Sequence, residues 1–167
     1  MLKKLDNTHI AAIQARRRGI YRGQLQGGED WAYGYLWYRE DDQPLIYDLL
    51  KREWLPVKAW SIGAYTTIDD RYKYPIFEFD YVVLTGESNC YQYNSGYIIY
   101  DKGYFGVALK GHETAPPSLD MLLDPGGLAL TVIGNIIDMP QLLKNHALHP
   151  AVEAIAKILA VEDENAK

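Results

Sequence analysis

Short strand-like runs, separated by turn residues at close spacing, constrain this chain more than any other feature of its sequence. The clearest of these runs predict two β-hairpins. In the first, QGGED joins IYRGQL to WAYGYLWY, and in the second, Asp101–Gly103 joins YIIY to YFGVAL. Further strands are predicted in VKAWSIGAYT, in IFEFDYVVLT after Pro75 and in LALTVIGNI, whereas LIYDLL fits a strand or a helical turn. The pattern predicts a mainly β fold, either a small, strongly curved sheet or an SH3-like barrel, with short helices.

A helix is predicted near each end of the chain. Asn7 is a suitable N-cap for a helix over Thr8–Arg18, and Gly19 would stop it. The segment Pro150–Val161 has an apolar stripe at helical spacing, formed by Val152, Ile155, Ile158 and Leu159. Because short strands bury little surface alone, this C-terminal helix is expected to cover an open sheet face or to pack on another subunit.

These elements divide the 167 residues into three segments. Residues 1–19 form an N-terminal extension with a short helix, residues 20–144 a β domain, and residues 145–167 a C-terminal amphipathic helix with an acidic tail. The first residues lack the long apolar centre of a signal peptide, and no apolar run is long enough for a bilayer. A single cysteine, Cys90, excludes an internal disulfide, and these features favour the cytoplasm.

Aromatic residues form the most distinctive row in the sequence. On the predicted strand WAYGYLWY, the period of two places Trp31, Tyr33, Tyr35 and Trp37 on one face. Such a row can be a core face, an interaction surface or a stacking platform for bases. The acidic neighbours and the net charge of −5 argue against nucleic acid. Because 14 tyrosines suit half-buried interfaces, the composition also favours a homo-oligomer.

Three consecutive arginines, Arg16, Arg17 and Arg18, end the predicted N-terminal helix. Cations are favoured at a helix C-terminus by the helix dipole, so a solvated helix end explains them. The alternative is a contact with nucleic-acid phosphates.

Side chains that could carry out catalysis or bind a metal are few. Glu78 and Asp80 share a face if they lie on one strand, which would suit acid–base chemistry or Mg²⁺. His146 and His149 lie three residues apart, but neither Cys90 nor His112 has the spacing of a zinc site. No phosphate-binding loop or serine elbow is present. The sequence therefore predicts no catalytic residue, metal or cofactor.

Four separated stretches together resemble the YopX family of small bacteriophage and prophage proteins. They are YRGQLQGGEDWAYGYL, SIGAYTTIDDRYKYPIFEFDYV, GYIIYDKGYFGVAL and TVIGNIIDMPQLL, which occur in the family's order from about Ile20 to Leu143. The resemblance implies a mostly β domain, a phage origin and a cytoplasmic accessory role, but no established activity. Two family glycines are replaced, by Thr67 and Phe79. Because both residues disfavour positive φ, the local backbone is expected to differ at these positions.

Three functions are compatible with these features. The first is a non-enzymatic phage accessory protein that binds another protein. The alternative is a nucleic-acid-binding accessory protein that uses Lys3, Lys4 and Arg16–Arg18. The third is an enzyme that uses Glu78 and Asp80.

Overall fold

The computed structural model describes residues 5–86, 94–123 and 127–165, with side chains as far as Val161. Cys90, Lys3 and Lys4 lie outside the described residues. The chain divides into two compact units. The first unit comprises Met1–Asp69 and Lys73–Phe77, and the second comprises Asp70–Tyr72 and Glu78–Lys167. The boundary between the two units, at Glu78, lies inside the segment 20–144 that was predicted as one β domain.

The first unit combines a helix with an antiparallel six-stranded sheet in the order β4-β3-β2-β1-β5-β6. Its elements are α1 (Asn7–Arg16), β1 (Tyr21–Gln24), β2 (Trp31–Tyr38), β3 (Pro44–Asp48), β4 (Trp54–Pro56), β5 (Gly63–Asp69) and β6 (Pro75–Phe77). Two clusters of buried side chains stabilise it. One is formed by Ile13, Ile20, Leu49, Tyr65 and Phe77, and the other by Ala32, Ile46 and Val57.

The second unit has a four-stranded antiparallel sheet in the order β10-β7-β8-β9 and two α-helices among its described residues. Its elements are β7 (Asp80–Gly86), β8 (Ser95–Asp101), β9 (Tyr104–Leu109), α2 (Leu119–Leu123), β10 (Leu128–Asn135) and α3 (Pro150–Asn165). The β8–β9 hairpin turns at Lys102 and Gly103, which both have positive φ, as a tight hairpin turn requires.

The mainly β fold with a C-terminal helix is confirmed. The SH3-like barrel is wrong, because neither sheet closes on itself. Closure of the larger sheet would need its two outer strands, β4 and β6, to pair with each other. Each of them has only three residues, and such short edges offer few backbone groups for pairing. Both predicted hairpins form, and LIYDLL starts as strand β3.

The N-terminal helix differs from the prediction at both ends. Asp6, and not Asn7, is the N-cap, and its Oδ1 accepts hydrogen bonds from the Thr8 and His9 backbone N–H groups at 2.9 Å each. The carboxylate of Asp6 thereby satisfies two backbone donors of the first turn. The helix ends at Arg16, because Arg17 adopts the left-handed conformation with φ of 52°.

The C-terminal helix extends a turn beyond the predicted end. Val152, Ile155 and Leu159 are buried and Ile158 is half-buried. Most of the apolar stripe is therefore covered within this chain. Among the described residues, no helix is both long and apolar enough to cross a bilayer.

The segment IFEFDYVVLT forms two strands and not one. β6 ends at Phe77, Glu78 and Phe79 form a turn, and β7 begins at Asp80. Phe79 has φ of 70°, its backbone N–H donates to the Ile98 carbonyl, and its side chain is buried. Phenylalanine disfavours positive φ, but burial and the backbone hydrogen bonds to Ile98 and Ile136 hold the residue in that conformation.

Thr67 also has positive φ, at 67°. Its side chain is exposed, and a β-branched residue in this conformation is strained. We expect Thr67→Gly to raise the free energy of unfolding by about 0.5–1 kcal/mol, after allowing for the greater entropy of the unfolded glycine chain. Thr67→Ala retains the Cβ atom, so its free energy of unfolding should rise by less. Urea unfolding of the two variants tests this, and a less stable Thr67→Gly would contradict it.

Candidate functional site

The predicted aromatic row lies on β2, but its four members have different environments. The Arg22 guanidinium lies 5.1 Å from the ring centre of Trp31, and the Tyr33 ring packs edge-on against Phe77 at 5.8 Å. These two aromatic side chains are half-buried and belong to the interior of the first unit. By contrast, Tyr35 is 42% exposed and Trp37 is 62% exposed. The second half of the row is therefore the more exposed one, whereas Trp31 and Tyr33 line a smaller pocket of about 270 Å³.

Neighbouring strands add three side chains to the exposed half. Tyr35 pairs with Tyr47, Trp37 with Leu45, and Tyr47 with Trp54. Because directly paired residues share a sheet face, these five side chains form one surface, which we call the aromatic face. The Tyr47 and Trp54 rings lie 5.3 Å apart in an edge-on arrangement, and Trp54 is 48% exposed.

Tyr47 and Trp54 are site residues that the sequence analysis missed. Tyr47 lies in the ambiguous segment LIYDLL, and Trp54 lies in REWLP, where no strand was predicted. In the structure, Leu45 and Tyr47 alternate with buried Ile46 and Asp48. In the sequence, Leu45, Ile46 and Tyr47 form a continuous apolar run, which does not separate a strand from a helical turn.

A groove of about 440 Å³ opens on the aromatic face. It is lined by Trp37, Arg39, Leu45 and Trp54. The Arg39 guanidinium lies 3.3 Å from the Asp41 carboxylate, and both side chains are more than half exposed. Such an exposed ion pair contributes little energy, so Arg39 can turn towards a ligand at low cost.

The turn that carries Trp54 to the aromatic face is organised by Asp48, which is fully buried. Its Oδ1 accepts hydrogen bonds from the Leu50 and Lys51 backbone N–H groups at 3.0 and 2.9 Å. Its Oδ2 accepts one from the Tyr33 backbone N–H at 3.1 Å. The carboxylate thus joins the β3–β4 turn to β2, the strand that carries Trp37.

Gly34 permits the close packing of the aromatic strand. A Cβ atom at this position would collide with the Tyr47 carbonyl oxygen. A glycine is therefore required between Tyr33 and Tyr35.

The three N-terminal arginines are exposed at the end of α1. Arg16 donates a hydrogen bond from Nη1 to the Ala12 carbonyl at 3.2 Å, as expected for a cation at a helix end. Phosphate binding by Arg16, Arg17 and Arg18 stays a prediction.

The carboxylates of Glu78 and Asp80 do not lie on a common strand, so that expectation is wrong. Glu78 belongs to the turn and Asp80 begins β7. The positive φ of Phe79 between them interrupts the alternation of a regular strand. The Glu78 Oε1 accepts a hydrogen bond from the Tyr100 backbone N–H at 3.3 Å, and Asp80 is buried.

The side chains of the two histidines have different hydrogen-bond partners in the second unit. His146 Nε2 lies 2.8 Å from the Tyr81 hydroxyl, and its Nδ1 lies 3.5 Å from Glu113 Oε1. His149 Nδ1 accepts from the Ala151 backbone N–H at 3.1 Å, at the start of α3. In the described part of the chain, no three His, Cys, Asp or Glu side chains converge as a metal site.

The His146 network attaches the segment before α3 to the sheet. The Glu113 carboxylate accepts backbone hydrogen bonds from Gly111 at 2.8 Å and from Ala147 at 3.2 Å. Fully buried Tyr97 accepts one from the His149 backbone N–H at 2.9 Å. Burial lowers the pKa of His146, although the adjacent Glu113 carboxylate opposes this shift.

This shift predicts that acid destabilises the second unit. Because the pKa of His146 is lower in the folded state than its ordinary 6.5, the unfolded state binds the proton first. The stabilisation is complete above about pH 6.5 and is lost as the pH falls through the folded-state pKa. We expect the melting temperature, followed by circular dichroism, to fall between about pH 7 and pH 5. His146→Phe should reduce this dependence and His112→Gln should not; an unchanged pH profile in His146→Phe would contradict the assignment.

Comparison of the chain with protein-family models found no match, and comparisons with curated proteins and with solved structures found no significant match either. The resemblance to the YopX family therefore stays a prediction that depends on the four quoted motifs.

Proposed function

We propose that this protein is a non-enzymatic interaction module that binds another protein through its aromatic face. The observation that carries the proposal is the exposure of Trp37 and Trp54, 62% and 48%, on the same face of one sheet. Tryptophan and tyrosine are enriched at protein interfaces, and they provide a large part of the binding energy there. A rigid sheet holds these rings before binding, which reduces the entropy lost in complex formation.

The charge next to the aromatic face supports a protein partner over a nucleic acid. The loop after β2 exposes three consecutive acidic residues, Glu40, Asp41 and Asp42. Carboxylates at this position repel phosphates and would weaken base stacking on Trp37. A contact of Arg16–Arg18 with nucleic acid is the alternative, and the experiment below separates the two.

The resemblance to YopX proteins supports a biological setting for this module. We propose an accessory protein of a bacteriophage or prophage that acts in the cytoplasm of the bacterial host. The four motifs quoted above support this setting, and the aromatic face is the surface with which the protein would contact its target there.

Affinity capture tests the proposed function. The tagged protein is incubated with a lysate of phage-carrying bacteria, with and without nuclease treatment, and bound proteins are identified by mass spectrometry. Trp37→Ala/Trp54→Ala should reduce capture of the specific partner about 1,000-fold, since central aromatic residues each contribute about 2 kcal/mol. Tyr72→Ala is the matched control, because Tyr72 is 63% exposed but lies outside the aromatic face.

Equal capture by the wild type and the double tryptophan variant would contradict the proposal. Bound material that disappears after nuclease treatment, and after replacement of Arg16–Arg18 by alanine, would support the nucleic-acid alternative instead.

We also propose that the protein forms a homo-oligomer, because many tyrosines are exposed or half-buried. Tyr35, Tyr38, Tyr72, Tyr100 and Tyr104 are all at least 37% exposed. Light scattering coupled to size-exclusion chromatography should give a multiple of the 19.0 kDa chain mass. A mass of one chain at all concentrations would contradict this part of the proposal.

A further inference from the structure

We propose that the groove between Trp37 and Trp54 binds a proline-rich segment of the partner in the polyproline II conformation. This inference rests on the proposed function, because it specifies what the aromatic face recognises. It follows from the hydrogen-bonding capacity of the groove, from its width and from the charge beside it.

The side chains that line the groove donate hydrogen bonds but do not accept them. Trp37 and Trp54 each have one indole N–H donor, Arg39 has five guanidinium donors, and Leu45 has neither donor nor acceptor. A ligand with many N–H groups would leave those groups without partners in this groove, at a cost of about 1–3 kcal/mol each when buried. The best ligand therefore has many acceptors and few donors.

A run of prolines has this composition. Each proline has a carbonyl oxygen but no backbone N–H, and the polyproline II helix forms no internal hydrogen bonds. Its carbonyl groups are therefore free to accept from the two indole N–H groups and from Arg39. Its flat pyrrolidine rings pack against aromatic rings, as they do in known proline-recognition grooves.

The width of the groove also fits an extended chain. Trp37 pairs with Leu45 and Trp54 pairs with Tyr47, so the two rings lie two strands apart and two residues out of register. About 12 Å therefore separates the backbones that carry them. Leu45 on β3 forms the floor between them. An extended chain that crosses β3 diagonally can contact both rings.

Two further ligand types fit the surface less well. An acidic peptide would approach Glu40, Asp41 and Asp42, and Asp41 already pairs with Arg39. A strand added to the sheet edge would have to pair with β4, which has three residues and ends in Pro56. Short edge strands that contain proline are poor templates for strand addition.

Nuclear magnetic resonance of the full-length protein tests the inference, because the four tryptophans give four indole N–H signals. The probe is a peptide of about ten consecutive prolines, compared with an alanine-rich helical peptide of about twenty residues and a flexible acidic peptide of about ten. Trp37→Phe and Trp54→Phe each remove one signal and thereby assign it. We expect the proline peptide to shift the signals of Trp37 and Trp54 but not those of Trp31 and Trp60. Neither Trp31 nor Trp60 lines the groove.

Affinity from the same titration provides the second measurement. Trp37→Ala and Trp54→Ala should each weaken binding of the proline peptide tenfold or more, and Arg39→Ala about threefold, whereas Tyr72→Ala should have no effect. Absence of shifts at about 1 mM proline peptide, or stronger shifts with a control peptide, would overturn the inference. The affinity capture distinguishes this failure from failure of the proposed function. If no proline peptide binds but Trp37→Ala/Trp54→Ala abolishes capture of the partner, the aromatic face binds a protein that is not proline-rich.

Discussion

Asp48→Ala is expected to lower the free energy of unfolding of the first unit by about 3 kcal/mol. The substitution removes a fully buried carboxylate that accepts three backbone hydrogen bonds, from Tyr33, Leu50 and Lys51. Hydrogen bonds to a charged group contribute more than neutral ones, and a donor left buried without a partner adds a further cost. Because these bonds hold the β3–β4 turn, we also expect Trp54 to lose its place on the aromatic face.

Urea unfolding followed by tryptophan fluorescence measures this effect in the first unit alone, because all four tryptophans lie between Trp31 and Trp60. Asp48→Asn should fall between the wild type and Asp48→Ala, since the amide oxygen can still accept from Leu50 and Lys51. Asp41→Ala, in the exposed β2–β3 turn, is the control and should change stability by less than about 0.5 kcal/mol. An equally small change in Asp48→Ala would show that the carboxylate does not hold the turn.

Phe77→Ala is expected to destabilise the first unit by about 4 kcal/mol. Phe77 has no exposed surface, and its ring packs against Tyr65 at 5.5 Å and Tyr33 at 5.8 Å. The buried Arg22 guanidinium lies 5.1 Å from its ring centre and equally close to Trp31. The substitution therefore creates a cavity and also removes one of the two aromatic rings beside a buried cation.

The same fluorescence experiment tests this prediction. Phe77→Leu fills most of the volume of the phenylalanine ring and should lower the free energy of unfolding by about 1–2 kcal/mol. The difference between Phe77→Leu and Phe77→Ala measures the cost of the cavity. Tyr38→Ala removes a ring that is 52% exposed and serves as the control. A loss below about 1 kcal/mol in Phe77→Ala would mean that the cluster repacks around the missing ring.

Sequence patterns predicted the helices and turns that depend only on residues close together in the chain. The turn at Lys102 and Gly103 needs only residues that tolerate positive φ, and its two arms carry the strand periodicity themselves. The C-terminal helix was predicted for a similar reason, since Val152, Ile155 and Leu159 recur at the helical spacing. In both cases neighbours in the sequence supply the decisive interactions.

The break at Phe79 could not be predicted, because its cause is distant in the sequence. Nothing in IFEFDYVVLT opposes a continuous strand, and phenylalanine disfavours positive φ. The conformation is stabilised by hydrogen bonds between Phe79 and the backbones of Ile98 and Ile136, which are far away along the chain. Thr67 illustrates the same limit, since its residue type also argues against the conformation that it adopts.

The sequence by itself determined the mainly β fold and the row of aromatic residues on one strand, because alternation and turn residues act between near neighbours. Only the tertiary structure decided which aromatic residues are exposed. Trp31 and Tyr33 pack against Arg22 and Phe77, whereas Trp37 lies near Trp54 because β3 and the Asp48 turn bring the two strands together. Strand pairing and burial are interactions between distant segments, so only they could separate the more buried half of the row from the more exposed half.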